Sequence, residues 1–63
     1  MDNETLFDVF KTAIINEHNA YEFYRKAAAS AVNEEAKKLF ENFAATELGH
    51  RTKLEDLYKS LKK

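Results

Sequence analysis

Glu47-Leu48-Gly49-His50 places a carboxylate and an imidazole three residues apart inside a segment with helical periodicity. Residues i and i+3 of a helix project from one side, a turn apart. With about 100° per residue and Glu47 set at zero, Ala36, Phe40, Phe43, Leu54, Tyr58 and Leu61 fall within roughly 40° of it. His50 lies on the edge of the same stripe, where Leu39 and Leu57 also fall. An unpaired carboxylate is costly to bury among Phe and Leu side chains, so its place in this stripe requires a reason.

Working outward, this segment extends into a helix over about residues 34–61. Asn33 is a good N-cap, Glu34 and Glu35 follow in the first turn, and Lys59, Lys62 and Lys63 suit the C-terminal end. Upstream, Ser30-Ala31-Val32-Asn33 forms a turn over 30–33, although without glycine or proline. A first helix is expected over about residues 5–29. Thr5 and Asp8 have the spacing of a capping box, with acidic Asp2 and Glu4 at the positive end of the helix dipole. With Glu17 set at zero, Leu6, Phe10, Ala13, Tyr21, Tyr24 and Ala28 lie within roughly 40° of it, and Ile14 within about 60°. Asp8, Thr12, Asn19, Glu22 and Lys26 form a solvated opposite side. A single unbroken helix through residue 31 is the alternative. The hairpin is preferred because two helices, each about 38–42 Å long by helical rise, can then bury their stripes together.

Composition narrows the class. The 63 residues make one domain at most, and so short a chain usually needs a disulfide, a metal or oligomerisation to hold it. There is no cysteine, which excludes disulfides and thiolate metal sites. No apolar run is long enough to span a bilayer and no signal-peptide pattern opens the chain, so a cytoplasmic location is expected. Ten basic and eleven acidic residues are mixed along the chain, giving a net charge of −1 and no basic footprint for nucleic acid. One glycine, no proline and abundant Ala, Leu, Glu and Lys argue for an all-α protein.

Two antiparallel helices leave half of each broad stripe uncovered. A second copy related by a two-fold axis would complete a four-helix bundle. Its core would then hold two copies each of Glu17, Glu47 and His50. That set matches di-iron carboxylate bundles, in which two helices each give a Glu and two each give a Glu-x-x-His.

At this point the chain resembles the ferritin-like superfamily, in particular its rubrerythrin branch and the short encapsulated-ferritin-like proteins. The residues that carry the resemblance are Ile14-Ile15-Asn16-Glu17-His18-Asn19-Ala20-Tyr21-Glu22-Phe23-Tyr24, Ala36-Lys37-Lys38-Leu39-Phe40-Glu41 and Glu47-Leu48-Gly49-His50. The resemblance implies two Fe ions per dimer, with Mn or Zn also chemically admissible. It further implies oxidation of Fe(II) by O₂ or peroxide, for ferroxidase-type iron handling or peroxide detoxification. Glu17 would be a terminal carboxylate ligand, Glu47 a bridging carboxylate and His50 a terminal imidazole. Most relatives hold all four helices in one chain, so this one reads as a half-domain that must form a homodimer. The cysteine-ligated rubredoxin iron of rubrerythrins is impossible here. Encapsulated relatives suggest residence in a protein compartment, but the chain reaches Lys63 without their targeting tail.

The remaining polar residues are weighed individually. Tyr24 is either a core aromatic or a hydrogen-bond donor to a ligand carboxylate. His18 is placed at the stripe edge or in solvent and is not counted as a ligand. Arg51 is expected to pack its stem over the core with its head in water, and Glu22, Glu34, Glu35, Glu41 and Glu55 are expected to be solvated. Gly49, beside Ala45 and Thr52, and Ile15 on the first helix face outward, which would suit a homo-oligomer larger than a dimer. A different class of function is a non-enzymatic dimerisation or adaptor module whose core carboxylates only set register.

Overall fold

The computed structural model describes residues 2–62. Met1 lies outside the described residues, as does Lys63, assigned above to the basic end of the second helix. The chain folds into two antiparallel helices, α1 (Asn3–Ser30) and α2 (Glu34–Leu61), each of 28 residues. The rod measures 46 × 15 × 14 Å, close to the length that 28 residues of helical rise require. No strand occurs among the described residues.

The expected capping box at Thr5 gives way to a cap one turn earlier. Asp2 is extended, and its Oδ1 accepts from the Thr5 backbone N–H at 2.8 Å, so α1 begins at Asn3. An aspartate in this position both satisfies an orphan donor and faces the positive helix end. These N–H bonds favour the charged form and hold the Asp2 carboxyl below its usual range. At α2 the expected cap is present: Asn33 Oδ1 accepts from the Ala36 N–H at 2.9 Å.

The hairpin turn is confined to residues 31–33, because Ser30 still belongs to α1. Ala31 turns extended, with φ −71° and ψ 128°, and no described residue has a positive φ. A connection that never enters the left-handed region has no need of glycine, which is why its sequence signal is faint.

Aromatic contacts clamp the two ends of the rod. Near the chain termini, Tyr58 meets Phe7 edge-on at 5.6 Å and Phe10 at 6.2 Å. Near the turn, Tyr24 stacks on Phe40 at 6.4 Å and meets Phe43 edge-on at 5.2 Å. The packing between them is thin: Ala28 and Ala44 alone are buried among the described residues. Val9, Phe23, Leu39, Phe43, Leu57 and Leu61 all remain exposed. By helical angle they form one continuous face, about 40–120° round from Glu17 and Glu47 on the side away from the contacts of Tyr21 and Ala44. No described helix is long and apolar enough to cross a membrane.

Candidate metal centre

Glu17 lies midway along α1, and Glu47 and His50 lie one turn apart on α2. The antiparallel hairpin brings all three to the same level of the rod. Each offers one ligand-type atom, and these atoms lie within 4.8 Å of one another. His50 Nδ1 is 3.6 Å from Glu17 Oε2 and 3.8 Å from Glu47 Oε2. Both carboxylates are largely covered, with side chains 25% and 23% exposed, whereas the His50 side chain is 53% exposed. His50 therefore sits at the rim, on the uncovered apolar face between Phe43 and Leu57.

Glu17 Oε2 is buried without a hydrogen-bond partner. An orphan anionic oxygen in such a place is costly unless a cation or proton reaches it. The Glu47 carboxyl is pushed above its usual range by its hydrogen bond to the Glu17 carboxyl. Desolvation and the charge of Glu17 add to this, and His50 pulls the other way. Two acidic oxygens and an imidazole nitrogen converging on one point, one oxygen lacking a hydrogen-bond partner, form a donor set suited to a divalent first-row metal. On both its geometry and its donor chemistry, this group fits an iron ion.

Tyr24 is not brought into the cluster. Its ring is held by Phe23, Phe40 and Phe43, and its hydroxyl makes no hydrogen bond to a ligand carboxylate within the described hairpin. Gly49 faces outward as expected, and a Cβ there would meet nothing within 4 Å.

Arg51 departs from expectation. Its head is engaged in protein contacts, with Nη1 2.6 Å from His18 Nδ1 across the helix pair and Nε 3.4 Å from Glu55 Oε1. A guanidinium can only donate, so His18 accepts through Nδ1 and carries its ring proton on Nε2. Periodicity alone could not find this contact, because His18 lies about 100° round α1 from Glu17 and the bond depends on how the helices are rotated against each other.

A helical hairpin with Glu on one helix and Glu-x-x-His on the other is half of the ligand arrangement of carboxylate metal bundles. The rubrerythrin family profile matches residues 3–63, and the chain belongs to that family, within the ferritin-like superfamily. No curated protein and no solved structure gives a significant match to the chain.

Proposed function

We propose that two copies of the hairpin pair through their uncovered apolar faces into a four-helix bundle that holds two iron ions, and that the protein oxidises Fe(II) with O₂ or peroxide. The observation that carries this reading is the buried Glu17 Oε2, without a hydrogen-bond partner, facing Glu47 and His50 beside that face. Family membership over residues 3–63 supports the choice of iron.

Each side chain has a role that follows from its surroundings. Glu17 and Glu47 supply negative charge from a largely desolvated position, where its attraction for a cation is least screened. Glu47, whose carboxyl holds its proton more tightly than usual, gives that proton up as a cation enters. His50 contributes a neutral nitrogen from the rim, where a second chain would cover it. Bound iron would supply one-electron oxidation–reduction chemistry toward O₂ or peroxide. Tyr24, on the Glu17 side of α1, is assigned the supporting role of donating its hydroxyl to a ligand carboxylate within the assembled bundle.

The test is metal content and native mass together, on protein purified with iron supplied. Two irons per pair of chains are expected, with near-ultraviolet absorption. Glu47→Ala should lose both, and Tyr24→Phe should lower the loading while keeping the mass of a dimer. A metal-free dimer of full stability would assign the carboxylates to structure and the protein to the adaptor class.

A further inference from the structure

Arg51 stands between two glutamates on α2, Glu47 four residues before it and Glu55 four residues after it. Both spacings suit an intrahelical ion pair, and the arrangement with the acid on the N-terminal side is intrinsically the better one. Arg51 should therefore pair with Glu47. It does not: no ion pair joins them among the described residues, and the guanidinium turns to Glu55 at 3.4 Å instead. A second contact comes from the other helix. His18, on the far side of α1 from the uncovered face, draws Nη1 to 2.6 Å. Apart from the Glu17–Glu47 carboxyl pair, it is the side-chain hydrogen bond that joins α1 to α2 among the described residues.

This matters to the site because Arg51 is a fixed positive charge one helical turn from Glu47. It follows His50 in the chain, and His18 follows Glu17. A guanidinium released from His18 could pair with Glu47 by rotamer change alone, filling the place of a metal with a charge the protein cannot remove. Resting on the metal-site reading above, we propose that His18 and Glu55 are positioning residues that hold Arg51 away from Glu47 and so keep the paired carboxylates open to a divalent cation.

The experiment uses cobalt(II) as the probe, read by its visible absorption and by equilibrium affinity, with native mass measured for every variant. His18→Leu removes the acceptor at an exposed position and should weaken cobalt binding by about tenfold, the lower end for loss of a supporting contact. His18→Asn, which can present an oxygen near the position of Nδ1, should restore the affinity and spectrum of the parent. Arg51→Met should bind cobalt at least as tightly as the parent, and adding it to His18→Leu should recover the lost affinity. A deficit in His18→Leu that persists when Arg51 is also removed would overturn the proposal, as would weakened binding in Arg51→Met alone. Equal affinity and spectrum in His18→Leu and the parent would overturn it too, while leaving the metal site intact. Failure of the parent protein itself to bind cobalt would overturn the metal site, and the role of Arg51 with it.

Discussion

Two carboxyls shift in opposite directions, and their linkage to stability has opposite sign. Glu47 holds its proton more tightly in the folded chain than in the unfolded one. In the metal-free protein its contribution is therefore fully present below the ordinary glutamate pKa and is lost as pH rises through the raised folded value. Asp2 is held below its usual range by the cap, so its contribution is present above the ordinary aspartate pKa and is lost as pH falls. Thermal melts of metal-free protein should show stability falling from mildly acidic toward neutral pH. Glu47→Gln should remove that fall and leave the acid-side loss belonging to Asp2. A neutral-side slope unchanged in Glu47→Gln would show that the Glu17–Glu47 pair is not its source. With metal present the slope should reverse, because the cation displaces the same proton and binds better as pH rises.

At the scale of the helices, Gly49 offers a direct test of what lies behind α2. A mid-helix glycine costs about 1 kcal/mol relative to alanine, and the hairpin has open space where a Cβ would stand. Gly49→Ala should therefore raise the denaturation free energy by about 1 kcal/mol if that outer face meets only solvent. A loss of stability together with a fall in native mass would mean that another helix lies against Gly49, as in an assembly larger than a dimer. Ile15, 58% exposed on α1, would be covered in the same event.

The whole hairpin has too little core to stand alone with ease. Its buried residues are two alanines among the described residues, with aromatic and aliphatic side chains only partly covered beside them, while six large apolar side chains line the open face. Burying that face against a second copy would turn the exposed row into a core. Leu57 is 51% exposed in the hairpin, so Leu57→Asp removes little within one chain. It should nevertheless halve the native mass, lower the melting temperature and abolish its dependence on protein concentration. Retention of the native mass would place the contact elsewhere.

Local chemistry was legible in the residue order. Asn33 announced the start of α2, the helical period placed Glu17 and Glu47 each on an apolar stripe, and the 30-residue separation between them set both at one level of the hairpin. Such features depend on neighbours within a turn or two, or on a single reversal of the chain. The choice of Asp2 over Thr5 as the cap is a contest between nearly equivalent local solutions, which spacing alone does not resolve. Only the tertiary structure decided which part of each stripe faces the other helix and which remains open. It left His50 at the rim and Glu17 Oε2 without a partner, and drew Arg51 toward His18 in place of Glu47. These outcomes depend on how two helices are rotated about their own axes. That rotation is set by packing between residues far apart in the chain, which periodicity within either helix does not encode.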